Sequence, residues 1–303
     1  MLETANIKKA CLEKWCNDEI DLDDRLYEFE KNFENWLEQI PEENRSTVLT
    51  LIENIEYYSH KNTNKWLKTL HQRLIENNPN ITDKNTIYVF IKSKYGKTNS
   101  SNDYWTEYKG INKLNSNTCV TDMDLIDEEF WKYIDNIVFI DDFSGSGKSF
   151  KDELKKCPNR YKGKNVFFIT INTMLSAIKK INNYCKDQDI NVVLLSAFNQ
   201  EKTFKRNLFS DNSKAKSEIK ELSEKFDIPE KEIFGFQKGE ALVVFYNNTP
   251  NNTLGIVRYD TNVYSALFPR KNETIPLWAE MQREKIKRQN ANYNNKVGDD
   301  INE

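Results

Sequence analysis

The run Ile137-Val-Phe-Ile-Asp-Asp-Phe-Ser-Gly-Ser-Gly-Lys-Ser149 restricts the fold of this chain more than any other segment. Its first four residues are apolar and rich in β-branched and aromatic types, which predicts a short buried strand over 137–140. Two adjacent carboxylates, Asp141 and Asp142, follow, then a string of small residues and an expected helix over 149–156. A buried strand that ends in polar residues and turns into a helix is the unit of an open α/β sheet. Such sheets bind ligands beyond the carboxyl ends of their strands. Small residues let several backbone N–H groups converge on a phosphate, and paired acids beside that cradle suit the vicinal hydroxyls of a sugar phosphate. The same residues also fit a plain helix cap, where Asp and Ser are favoured.

The remaining pattern agrees with an α/β chain. Residues 1–80 carry helical stripes: Leu22, Leu26, Phe29, Phe33, Trp36, Leu37 and Ile40, then Val48 to Tyr58, then Trp66 to Leu74. From 81 to 271 strands are expected at 87–91, 166–171, 192–195 and 241–246, and helices at 125–133, 174–184 and 214–226. This alternation predicts a mostly parallel, Rossmann-like sheet covered by helices. Residues 272–303 form a polar tail with an expected short helix over 278–287 and a disordered end.

The string Gly145-Ser-Gly-Lys-Ser149 invites a nucleotide-triphosphatase reading, with Lys148 on phosphates and Ser149 on magnesium. That motif needs a glycine five positions before its second one, and Asp142 stands there. The later strands end in Asn172 and Ser196, so neither supplies the second acid that magnesium needs.

The segment instead resembles the ribose-phosphate signature of type I phosphoribosyltransferases. The resemblance implies that Asp141 and Asp142 take the ribose hydroxyls of phosphoribosyl pyrophosphate (PRPP), and that Ser144, Gly145, Ser146, Gly147, Lys148 and Ser149 wrap the 5′-phosphate. Ser144 departs from the usual aliphatic residue and Lys148 from a glycine or other small one. A pyrophosphate loop is also required. The segment Lys92-Ser-Lys-Tyr-Gly-Lys-Thr-Asn-Ser-Ser101 follows the first strand and offers Lys92, Lys94, Gly96 and Lys97; it fits equally a solvated basic loop. Magnesium is expected with PRPP if the chain is active.

Thr249-Pro-Asn-Asn-Thr-Leu254 and Leu267-Phe-Pro-Arg270 resemble the C-terminal region of phosphoribosyltransferase-like proteins of bacterial anti-phage and conflict operons, including some retron cassettes. Within these strings Asn251, Asn252 and Arg270 are candidate contacts to a base edge or an anion. The resemblance implies an effector with protein partners from the same operon, among them a reverse transcriptase and its nucleic acid. A catalytically inactive nucleotide-binding scaffold is the alternative.

Composition excludes other classes. A net charge of −3 gives no global basic field for nucleic acid. The five cysteines are scattered without zinc spacing, and the two histidines, His60 and His71, lie in the helical region with no nucleophile motif near them. No protein metal site is expected. No signal-peptide core or membrane-length apolar run is present, so the expected location is cytoplasmic.

Overall fold

The computed structural model describes residues 2–16, 23–93, 99–270, 276–278, 281 and 285. Of the described residues, those up to Arg270 form one compact unit and those from Pro276 onward a second. In the second unit, residues 277, 278, 281 and 285 are helical and Leu277, Trp278 and Met281 are exposed. The rest of the expected 278–287 helix lies outside the described residues. No described helix is long and apolar enough to cross a membrane.

The first unit runs α1 (Leu2–Cys16), α2 (Asp24–Glu38), α3 (Glu42–Glu53), β1 (Glu56–Tyr58), α4 (His60–Asn77), β2 (Thr86–Phe90) and α5 (Ser100–Ile111). It continues with β3 (Asn136–Ser144), α6 (Lys148–Leu154), β4 (Asn165–Met174), α7 (Leu175–Asp187) and β5 (Asn191–Gln200). It closes with α8 (Asn212–Lys225), α9 (Glu230–Ile233), β6 (Val243–Phe245) and α10 (Gly255–Arg258). The α/β expectation holds. β2, β3, β4 and β5 lie side by side in that order, every pair parallel. Val138, Ile140, Phe167 and Ile169 pack on one face with α4 and α5, while Ile137, Phe139, Val166 and Phe168 pack on the other with α6 and α7. Covering both faces is what makes the central strands uniformly apolar.

Three expectations are corrected. The strand expected over 241–246 forms, as Val243–Phe245, but stays out of the main sheet; it pairs in parallel with β1, in a region expected to be helical. The reason is burial on both sides. Val243 and Phe245 join the main-sheet core, while Leu242 and Val244 join a third core, built by α1–α3, α8 and segment 254–268. A strand walled between two cores reads like a central strand by its apolarity alone. The helix expected over 125–133 is two short 3₁₀ stretches, Met123–Leu125 and Glu128–Tyr133. Leu125, Phe130 and Tyr133 of its apolar stripe are exposed and only Trp131 is buried, so tertiary packing gives no support to a full helix. Finally, β3 runs on through both acids to Ser144.

The N-terminal helices and the C-terminal block are laced together. Arg25 of α2 donates to Phe245 O, Thr249 Oγ1 and Pro269 O at 2.8–3.0 Å. The Trp36 indole donates to Tyr264 Oη at 2.8 Å, and Phe29 stacks on Phe268 with centroids 5.5 Å apart.

Candidate functional site

Ordinary strand alternation sets the two carboxylates on opposite faces of β3, and the pattern breaks just after them. The β3–β4 ladder pairs Asp141 with Thr170 and next Phe143 with Asn172; the β4–β5 ladder likewise passes from Thr170–Ser196 to Asn172–Phe198. The level of Asp142, Ile171 and Ala197 is skipped in both. Beyond it the faces shift by one residue: Phe143 joins the core on the α4/α5 side, although Ile137 and Phe139 face the other way. Asp142 keeps the side of Val138 and Ile140, toward α5, where Ser100 Oγ donates to its Oδ1 at 3.0 Å. By the regular alternation below the break, Asp141 keeps to the α6 side.

Both acids are only 8% exposed. The Asp142 N–H donates to Asp141 Oδ1 at 3.0 Å. Burial, then the neighbouring charge of Asp142, pushes the Asp141 carboxyl well above the usual carboxylate range. The folded chain therefore holds a proton that the unfolded chain releases near pH ~4. Stability from this group is complete below that pH and falls as pH rises toward the folded-state value. We expect Asp141→Asn to raise the thermal midpoint at neutral pH and to flatten its decline above pH ~5. Parallel pH slopes in the two proteins would rule this out.

The loop after β3 is built for close approach. Among the described residues, no group accepts a hydrogen bond from the N–H of Gly145, Ser146 or Gly147, while the Lys148 N–H turns back to Ser146 Oγ at 3.3 Å. Gly147 takes φ +70°, and a Cβ there would stand 2.8 Å from Ile181 Cγ1. Phe150 stacks on Phe168 at 4.1 Å and meets Phe139 edge-on, fixing α6 to the sheet behind the loop.

The C-terminal block reaches this loop through the side chain of Asn252. Asn252, 6% exposed, lies where a Cβ on Gly145 would fall, 2.1 Å from its Oδ1. Its Nδ2 donates to Phe236 O at 2.8 Å, which fixes the orientation of the amide. Cβ atoms on Gly235 and Gly239 would also collide with Asn252. Around it, Gly235, Gln237, Lys238 and Glu240 all take positive φ, a concentration of strain that persists only under strong local constraint.

The candidate residues therefore divide. Asp141, Asp142, the loop 144–149 and Asn252 converge. Lys148 extends along α6 to Asp152 at 2.5 Å. Lys92 pairs with Asp122. Asn251 is exposed, and its carbonyl accepts from Phe236 N at 2.7 Å. Arg270 donates to Thr249 O at 2.5 Å and so braces the turn that carries Asn252. Lys94, Gly96 and Lys97 lie outside the described residues. Sequence reading missed Ser100 and a buried network at the end of β4. There the Asn172 amide donates to Glu56 Oε2 at 2.7 Å and to Tyr58 Oη at 2.8 Å, leaving its own Oδ1 buried without a partner. The position of Asn172 at a strand end was the available signal; its partners come from β1, which the pattern hid.

The sequence matches the PRTase-CE family over residues 33–270. Among solved structures, the chain is similar to the Helicobacter pylori xanthine-guanine-hypoxanthine phosphoribosyltransferase, with 11% identity and a TM-score of 0.31 over 48% of this chain and 89% of that one. No curated protein matches the sequence.

Proposed function

We propose that this chain, which belongs to the PRTase-CE family, binds PRPP or a related ribose 5-phosphate compound at Asp141, Asp142 and the loop 144–149. The observation that carries the reading is the run of three backbone N–H groups left without acceptors beside two buried carboxylates. Backbone donors in folded chains are almost always paired, with protein groups or with water, and a phosphoryl group would pair these three at once. Asp142, already held by Ser100 Oγ, and Asp141 would accept from the ribose 2′ and 3′ hydroxyls.

In the reaction this site would support, the bond from the anomeric carbon to the pyrophosphate oxygen breaks and a bond to the acceptor forms. The carboxylates lie beside the developing positive charge, so positioning and electrostatics supply the rate. Among the described residues no cluster of three or more metal-ligating side chains exists. Magnesium therefore fits as an ion carried by the pyrophosphate, with one or two carboxylates at most. When bound, it neutralises the leaving group.

A binding module without turnover is the second reading, favoured by the raised Asp141 carboxyl and by Lys148 lying along α6. The test is calorimetric titration of PRPP with magnesium into the wild type and the Asp141→Asn/Asp142→Asn variant. The variant is expected to bind roughly 100-fold more weakly or worse. Equal affinities would overturn the assignment. Pyrophosphate release on adding acceptor extracts separates turnover from binding alone. The triphosphatase reading has no support from the family match.

We further infer a role as effector of a bacterial anti-phage system, working with operon-encoded protein partners. Its support is the similarity of the 249–254 and 267–270 strings to such proteins. Co-expression of the native operon followed by pull-down should recover those partners; an empty pull-down counts against the role.

A further inference from the structure

The sheet treats its two edges differently. The outer edge of the five-residue β2 is covered: Val120 N and the Trp105 indole both donate to Tyr88 O, and Cys119 bridges to Tyr88. The outer edge of the ten-residue β5 is open. Among the described residues its backbone is bonded only to β4; near its C-terminal end Phe198 packs on Tyr58 and Trp66, and Gln200 bonds Leu242 N and O. Every β5 residue except Gln200 retains solvent exposure, and Val193 is 37% exposed. The strand Asn-Val-Val-Leu-Leu-Ser-Ala-Phe-Asn-Gln contains no charge, proline or glycine. Long, open, apolar edges template pairing with another strand, and natural sheets ordinarily blunt them.

We propose that two copies of this chain join β5 to β5, antiparallel about a two-fold axis near the middle of the strand, making one continuous sheet. An antiparallel edge is complementary to itself, which is what an isologous two-fold contact requires. The strand brings no like charges together at the axis. Its flanks select the direction. Asp187 and Asp189 precede the strand beside the single base Lys186, and Lys202 and Lys205 follow it beside the single acid Glu201, while Arg206 turns inward to Asn54 Oδ1. Antiparallel pairing sets the acidic flank of each copy near the basic flank of the other, whereas parallel addition would set like against like.

Sedimentation velocity of the full chain over a concentration series tests this. The wild type is expected as a dimer at the higher concentrations. Ser196→Lys, which places two lysines near the axis, should sediment as a monomer while keeping the wild-type circular dichroism spectrum. Asp187→Lys with Asp189→Asn alters exposed positions outside the sheet and keeps a residue suited to the φ of +55° at 189; it should leave folding intact and raise the dissociation constant several-fold, the effect fading at high salt. A wild-type monomer at every concentration overturns the proposal and leaves the edge to a strand of another protein. A dimer indifferent to both variants overturns it as well, by placing the interface elsewhere.

Discussion

Gly235→Ala is expected to destabilise the folded chain by on the order of 4 kcal/mol, whereas Gly163→Ala costs only about 1–2 kcal/mol. Both glycines take φ +71°. At Gly163 a Cβ would meet nothing within 4 Å, so its cost is backbone conformation alone. At Gly235 ψ is 169°, a region essentially reserved for glycine. A Cβ there would also stand 2.2 Å from the Asn252 carbonyl oxygen and 2.5 Å from its carbon. Those atoms are main chain and cannot swing aside. Relief requires segments 235–241 and 250–254 to separate, at the expense of the Phe236 N to Asn251 O bond and the Ala241 N to Asn252 O bond. Urea unfolding of both variants measures the difference; equal losses would mean that Asn252 is not packed as described. Because Asn252 also touches Gly145, the same displacement should weaken ligand binding at the loop, and Gly163→Ala should not.

That coupling shows which parts of the molecule a sequence makes legible. The β3 motif is local, and its strand, loop and helix were legible because a buried strand leading through a tight loop into a helix has few alternatives. The skipped ladder level at Asp142 was not legible, since it depends on three strands slipping together at Asp142, Ile171 and Ala197. β1 was hidden for a related reason. Glu56-Tyr-Tyr58 has only three residues, too short to show a period of two, and is a strand only because β6 lies beside it. Arg270 had the chemistry of an anion clamp, and the Thr249 carbonyl takes it. Asn252 and Asn251 were indistinguishable in sequence. One is wedged among three glycines and the other faces solvent, a difference set by a turn some 15 residues away.

The second large effect lies in an ion pair with no sequence signature. Arg258 of α10 is 3% exposed, donates to Glu232 Oε2 at 2.7 Å and gives its Nε–H to Thr253 O at 2.8 Å. Glu232 is less enclosed, with about a quarter of its side chain accessible (23%). Removing one partner of a buried pair typically costs 3–5 kcal/mol, because the survivor is left charged and without a partner. The two removals are not equivalent here. Glu232→Leu strands a guanidinium that is almost wholly buried, and should cost about 4 kcal/mol. Arg258→Met leaves a carboxylate that can turn toward solvent, so its cost should fall nearer 3 kcal/mol, part of it from the Thr253 carbonyl losing its donor. The double variant leaves no buried charge. It should be more stable than either single one, with a residual loss of about 1–2 kcal/mol for that carbonyl. Chemical denaturation of the four proteins gives the cycle directly. Should Arg258→Met prove the costlier single change, the carbonyl contact, not the ion pair, is what Arg258 supplies. It would then act as a backbone brace for the turn that carries Asn252.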